Sequence, residues 1–361
     1  MPSIETRAEG FPREAFASRR KPALGYLCRG FPPAVAAGLG LRPFRPARLL
    51  DGEMSRLGGE LVRPDVCPAV KGVLGGALRQ EGPLSRVSAW AGLATCDGTR
   101  RLFGELERLA GCPVIPLYLP STRTREAEEY YARQIEVFVE TAIRRGISSG
   151  WNAAAAGEFE AAYRRTAGLL REASLSGRAE PLALSRLLAR LSTADPIAEE
   201  ANLAEAAQET LKEARTPSGT VAVLEVPCTS RDDIFAETIA SRGMGMAALG
   251  CGALWGIPKG PPSREPSPAE LAHQYFEAVC CARSRPNEGV FDRLIEELDA
   301  SGSSGLVVGT MRFCDLWFAE RLRLRREMPV PVLVLDRDLS RSSRESAINR
   351  LDAFLDSLEA R

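Results

Sequence analysis

The sequence predicts an α/β fold: two lobes with parallel sheets and a helical insertion between them. Three observations carry that reading. Short apolar runs alternate with helical patterns at both ends of the chain, as the crossovers between parallel strands require. The stretch between those ends has helical periodicity and no strand-like run. The 361 residues also suffice for two domains of about 150 residues each.

The apolar segment Ala23 to Cys28 reads as the first strand, and Gly30-Phe31-Pro32-Pro33 turns the chain into an alanine-rich helix ending near Gly38 and Gly40. A second strand-like run, Val87 to Ala94, delivers Thr95-Cys96-Asp97 to a helix that continues through Leu109. Gly111 closes that helix, and Pro113 to Leu119 is the next buried strand. From about Thr124 to Arg215 the pattern is helical: Tyr131, Ile135 and Phe138 share a face at spacings of four and three. Three or four helices fit, separated at Gly146 to Gly150, Ser176-Gly177 and Asp195-Pro196. After Thr216-Pro217-Ser218-Gly219 the α/β rhythm returns, with strands at Val221 to Val226, Met244 to Leu249, Leu306 to Gly309 and Val330 to Leu335. The last helix runs from about Arg341 to Leu358. The chain thus divides into an N-terminal extension (1–22), a first α/β lobe (23–123), a helical segment (124–215) and a second α/β lobe (216–361). The two α/β blocks are candidates for similar, Rossmann-like lobes.

Lys and Arg number 47 and Asp and Glu also 47, so no global charge pulls the chain toward nucleic acid or anionic membrane. The uncharged run that includes Met244 to Ile257 is glycine-rich and shorter than the roughly 18 residues of a membrane helix. The first twenty residues carry Glu5, Glu9 and Glu14 and no apolar core, unlike a secretory signal or a transit peptide. A cytoplasmic protein with no nucleic-acid or membrane partner is expected. His273 is the one histidine, which excludes two-histidine metal sites and H-E-x-x-H zinc chemistry. Nine cysteines in a reducing compartment point to packing, catalysis or metal ligation rather than disulfides.

Three cysteines sit at loops where a strand hands over to a helix or a loop: Cys67 in Arg63-Pro64-Asp65-Val66-Cys67-Pro68, Cys96 in Thr95-Cys96-Asp97-Gly98, and Cys314 in Met311-Arg312-Phe313-Cys314-Asp315. Ligands of α/β sheets gather at the carboxyl ends of the strands. A thiol near a helix N-terminus is biased toward thiolate, which suits iron ligation or nucleophilic attack. Spacing alone leaves core packing open for each, because cysteine is among the most buried residues and no C-x-x-C occurs.

From Ala23 to Leu358 the chain resembles a subunit of the 2-hydroxyacyl-CoA dehydratase and benzoyl-CoA reductase family. The likeness is carried in order by Gly25-Tyr26-Leu27-Cys28, Pro32-Pro33, Ala37-Gly38-Leu39, Cys67-Pro68 with Gly75, Thr95-Cys96-Asp97-Gly98-Thr99-Arg100-Arg101, Phe313-Cys314-Asp315 and Arg350-Leu351-Asp352-Ala353-Phe354. The resemblance implies a [4Fe–4S] cluster between the lobes, held by Cys67, Cys96 and Cys314, with one iron open to the thioester carbonyl of an acyl-CoA substrate. It implies a lyase: one electron makes a ketyl radical that expels the 2-hydroxyl. The electron would come from a separate ATP-dependent iron–sulfur activator, in keeping with the lack of G-x-x-x-x-G-K-[ST] here. A homologous second subunit or a second copy would complete the dimer. No catalytic residue beyond the cluster ligands is assigned. Pro33-Ala34-Val35 and Val226-Pro227-Cys228-Thr229-Ser230 depart from the family pattern, leaving the acyl group and the subunit role open. The alternatives are a non-catalytic partner or electron-relay subunit, and a metal-free α/β ligand-binding protein.

The remaining candidates have plainer readings. Gly243-Met244-Gly245-Met246-Ala247-Ala248 follows a helix and enters a strand, the reverse of a dinucleotide fingerprint, so a capping glycine is expected. Cys280-Cys281, Cys112 and Cys251 read as packing. So do Cys28 and Cys228, although each follows the first strand of a lobe; Cys28, Cys112, Cys228 and Cys251 would be the reserves for a larger cluster. His273 reads as a surface or satisfied side chain. Arg321, Arg323, Arg325 and Arg326 form a solvated helix end or a contact for coenzyme A phosphates or an acidic partner. Asp97 and Asp315 read as helix N-caps, or as groups tuning the cluster.

Overall fold

A computed structural model describes residues 22–79, 82–193, 196–212, 216–226 and 231–360. The first lobe comprises β1 (Ala23–Gly25), α1 (Pro33–Gly38), β2 (Arg42–Phe44), α2 (Gly52–Gly59), α3 (Pro68–Leu78), β3 (Val87–Leu93), α4 (Asp97–Ala110) and β4 (Val114–Leu117). Four helices follow: α5 (Arg125–Arg144), α6 (Ala153–Leu175), α7 (Pro181–Thr193) and α8 (Pro196–Lys212). The second lobe begins with β5 (Thr220–Val226), α9 (Ile234–Ser241), β6 (Gly245–Leu249), α10 (Pro268–Ala278) and α11 (Glu288–Ala300). It continues with β7 (Ser303–Met311), α12 (Asp315–Ala319), α13 (Arg321–Glu327), β8 (Val332–Arg337) and α14 (Arg341–Glu359).

Each lobe holds a four-stranded parallel sheet, ordered β2-β1-β3-β4 and β6-β5-β7-β8. In chain order the two are the same topology, with the first strand of each lobe beside its third. The fold is therefore α/β with two Rossmann-like lobes. Strand β5 is buried along its whole length, because helices cover both faces of a parallel sheet. Its side chains alternate between two cores: Val221 and Val223 point one way, Ala222 and Leu224 the other.

The first of those cores is shared. It runs through Leu24 and Phe31 of the first lobe, Tyr131, Phe159 and Leu184 of the four helices, and Phe235 and Leu351 of the second lobe. Each lobe has a second core on the other face of its sheet, around Leu74, Trp90 and Leu102 in one and Leu224, Trp255 and Leu294 in the other. The helices thus glue the facing sides of the two sheets together. Further bonds join the lobes directly, from Arg231 N to the Leu50 carbonyl at 2.7 Å and from Arg285 N to the Ser121 carbonyl at 2.8 Å.

Several elements differ from the sequence reading. β1 stops at Gly25, where the Trp90 ring occupies the space a side chain would need, and the chain leaves the sheet before Cys28. β2 is three residues around Pro43, too short for an alternating pattern. The sequence reading contained neither α2 nor α3. α3 carries Gly72, Gly75 and Gly76, which lower its helix propensity, and packing against α2 overrides that. The expected caps hold: Gly111 closes α4 at φ 61°, and Gly243 follows α9 at φ 68°. Among the described residues no helix is long and apolar enough to cross a membrane.

Candidate functional site

Each of the three cysteines singled out from the sequence is the N-cap of a helix: Cys67 of α3, Cys96 of α4 and Cys314 of α12. Cys96 and Cys314 follow β3 and β7, the equivalent third strands of the two lobes. The Cys96 sulfur accepts from the Thr99 amide at 3.4 Å, and Thr99 Oγ1 accepts from the Cys96 amide at 3.1 Å, a reciprocal cap that fixes the thiol. Gly98, in the first turn of α4, lies between two of the thiols. A Cβ there would be 3.7 Å from Cys96 Sγ, 3.9 Å from Cys67 Cβ and 3.2 Å from Val70 Cγ2, filling the gap that separates them. Asp97 and Asp315 are not the N-caps that the sequence suggested. The cysteines take that position, and the carboxylates, both exposed, occupy the first helical turn, where negative charge favours the helix dipole.

All three line one cavity of about 1000 Å³ at the carboxyl ends of the strands of both sheets. Cys28, Cys251, Cys280 and Cys281 line it too. Sequence reasoning assigned these four to packing. The available signal was position, since Cys28 follows β1 and Cys251 follows β6, the first and second strands of their lobes. Cys280 and Cys281 lie just past α10 and also line a second cavity of about 540 Å³ with Arg123, Lys259 and Arg293. Cys112 is a true core residue at 4% exposure, its thiol donating to the Val87 carbonyl at 3.3 Å. Cys228 lies outside the described residues.

Burial pushes the Cys67 thiol up to about 11 and the Cys314 thiol up to about 12. The backbone amides of Ala69 and Val70 pull against this at Cys67, and that of Trp317 at Cys314, so each helix start favours the thiolate once it forms. Cys314 is also raised by charge on Cys67, Cys96 and Cys251, which places these sulfurs within electrostatic reach of one another. Cys28, Cys251 and Cys281 form a second coupled set, all raised chiefly by burial. The buried thiols are thus protonated at neutral pH, and a metal taking them as thiolates displaces protons. Among the described residues no three His, Cys, Asp or Glu side chains are gathered closely enough to hold a metal ion.

The other sequence candidates lie elsewhere. His273, on α10, is partly exposed and its Nδ1 is 2.7 Å from Glu128 Oε1. Arg321 stacks on Phe318, and Arg323 bonds Glu327 at 2.8 Å and Asn287 at 2.9 Å; neither lines the thiol cavity.

No curated protein matches the chain. Among solved structures, the SBP FpvC in complex with Ni2+ from P. aeruginosa aligns with 94% of this chain and 98% of its own, at 13% identity and a TM-score of 0.22. That likeness bears on neither fold nor site. The family model HGD-D, described as 2-hydroxyglutaryl-CoA dehydratase, D-component, matches residues 28–358. The match begins at Cys28 on the cavity wall, ends in α14, and takes in all nine cysteines and both sheets except β1. Over nearly its whole length, therefore, the chain belongs to the 2-hydroxyglutaryl-CoA dehydratase D-component family.

Proposed function

We propose that this chain is the iron–sulfur subunit of a 2-hydroxyacyl-CoA dehydratase-type lyase, holding a [4Fe–4S] cluster on Cys67, Cys96 and Cys314. The observation that carries the reading is three thiols at helix N-cap positions on one cavity, brought from three separate parts of a chain of this family. The residues fit the group. Each thiol of a cluster binds its own iron, so the three need not converge on a point, and the lack of a side chain at Gly98 leaves space beside Cys67 and Cys96. Three thiolates on four irons leave one iron open, which supplies a Lewis-acidic site and one-electron chemistry.

The chain's own residues do the rest. The first-turn amides of α3, α4 and α12 stabilise negative charge at the sulfurs. Val66, Val70, Val73, Val226 and Trp317 make the cavity wall largely apolar and so exclude water from the reacting groups. The volume is at the upper end for ligand pockets, with space for the acyl end of a 2-hydroxyacyl-CoA beside the cluster. We place the protein in the cytoplasm, with a homologous subunit or second copy and an ATP-dependent iron–sulfur activator as partners.

One observation favours a second reading: seven cysteines line the cavity, more than one such cluster uses, so a larger cluster would also engage Cys28, Cys251 and Cys281. Anaerobic reconstitution followed by iron and sulfide analysis tests both. About four irons per chain, lost in each of Cys67→Ser, Cys96→Ser and Cys314→Ser, supports the first; about eight supports the second. A colourless chain that takes up no iron would sink both, leaving a metal-free ligand-binding protein.

A further inference from the structure

Arg29 directly follows Cys28 on the wall of the thiol cavity and is 4% exposed. Its guanidinium donates to the Tyr163 hydroxyl, to Ser192 Oγ at 3.2 Å and to the Ala253 carbonyl at 2.8 Å, with a longer approach of 3.4 Å to the Cys251 carbonyl. All four acceptors are neutral. Two other guanidiniums of similar burial are answered by carboxylates, Arg164 by Glu160 at 2.7 Å and Arg337 by Glu225 at 2.7 Å. Among the described residues Arg29 has no carboxylate within ion-pairing distance. The ionisable groups around it are the phenols of Tyr163, Tyr26 and Tyr275 and the thiol of Cys251.

A guanidinium does not give up its proton inside a protein, and a buried charge without a counter-charge is costly. The bonds to α6, α7 and the loop after β6 hold this one where it is, so it cannot swing out to solvent. The cavity that it lines, where Cys251 is the thiol acting on it, leaves room for a counter-charge from a bound group. We infer that Arg29 is a potential-setting residue, a fixed cation that offsets the negative charge of an iron–thiolate group in the cavity and holds its one-electron reduction potential up. This rests on the iron–sulfur reading above. Reduction by a low-potential electron donor adds one negative charge to that group. Arg29 stabilises the added charge without any proton being taken up, which makes accepting the electron easier.

Redox titration of the reconstituted protein, followed by electron paramagnetic resonance, tests this. Arg29→Met is expected to lower the reduction equilibrium constant at least tenfold, a shift of about 59 mV to more negative potential. Ser192→Asp places a carboxylate beside the guanidinium and is expected to shift the potential in the same direction by neutralising it in place. Arg29→Lys keeps the charge and is expected to stay within about threefold of wild type. If Arg29→Met fails to fold, the pair Ser192→Asp and Arg29→Lys decides. Iron and sulfide are measured on the same samples. An iron-loaded wild type whose potential is unmoved by Arg29→Met and Ser192→Asp overturns this inference alone; a wild type that takes up no iron overturns the iron–sulfur reading with it.

Discussion

Replacing Gly75 by alanine tests whether backbone packing holds the Cys67 helix, and Gly104 supplies the control. α2 and α3 cross at Gly58 and Gly75, where a Cβ on Gly75 would fall 2.0 Å from the Met54 carbonyl oxygen and 2.8 Å from the Gly58 nitrogen. Both are backbone atoms, so no side chain can swing aside. Ordinary contact begins near 3.4 Å, and 3.4 minus 2.0 means that α2 must retreat by about 1.4 Å. Overpacking of that kind costs typically 1–3 kcal/mol, about 1 kcal/mol of which the better helix propensity of alanine returns, so a net loss of about 2 kcal/mol is expected at the upper end of the range. Gly104 lies on the exposed face of α4 with nothing within 4 Å of a Cβ, and there the same change is expected to stabilise by about 0.5–1 kcal/mol. Urea unfolding of the iron-free chain reads both as opposite shifts in midpoint. Iron uptake adds a second readout, because α3 carries Cys67 at its start and moves relative to Cys96 when α2 is pushed off. A Gly75→Ala chain as stable as Gly104→Ala, with full iron content, would refute the packing argument.

Two further outcomes follow from the site itself. Phe313 precedes Cys314 with φ 65° and is 47% exposed, so Phe313→Gly should stabilise the iron-free chain by about 1 kcal/mol in the same unfolding assay; a loss of stability would mean that ring contacts outweigh the left-handed backbone. Cys67 and Cys314 are raised from 9.0 to about 11 and about 12, so the folded chain keeps its protons where the unfolded chain loses them. Stability should therefore be unaffected by these thiols below pH 9 and fall above it, by about 1.4 kcal/mol per pH unit for each, until the folded values are passed. A Cys67→Ser, Cys314→Ser double variant should have an alkaline slope shallower by the share of these two thiols, the other buried cysteines keeping theirs, and an unchanged slope in alkaline melting curves would contradict the burial argument.

Most of the fold was legible because strands and helices announce themselves locally. The apolar runs at Val87, Val221 and Met244 and the caps at Gly111 and Gly243 depend on backbone conformation and near neighbours, and each lies within a residue or so of where the sequence put it. The elements that were not legible are held by partners distant in the chain: β2 exists through its pairing with β1, and α3 through its glycine contact with α2. The site divides the same way. That Cys96 and Cys314 stand at helix starts was readable from Asp97 and Asp315 beside them, whereas the helix that follows Cys67 was not, because the glycines of α3 weaken its helical signal. That the three share a cavity with Cys28, Cys251, Cys280 and Cys281 was not, because a lone cysteine looks the same whether it packs in a core or lines a pocket. The sequence by itself determined that Cys96 and Cys314 begin helices, through short-range backbone preferences. The tertiary structure alone decided which thiols meet and that Arg29 joins them without a carboxylate, because the parallel sheets bring strand ends more than two hundred residues apart to one crevice.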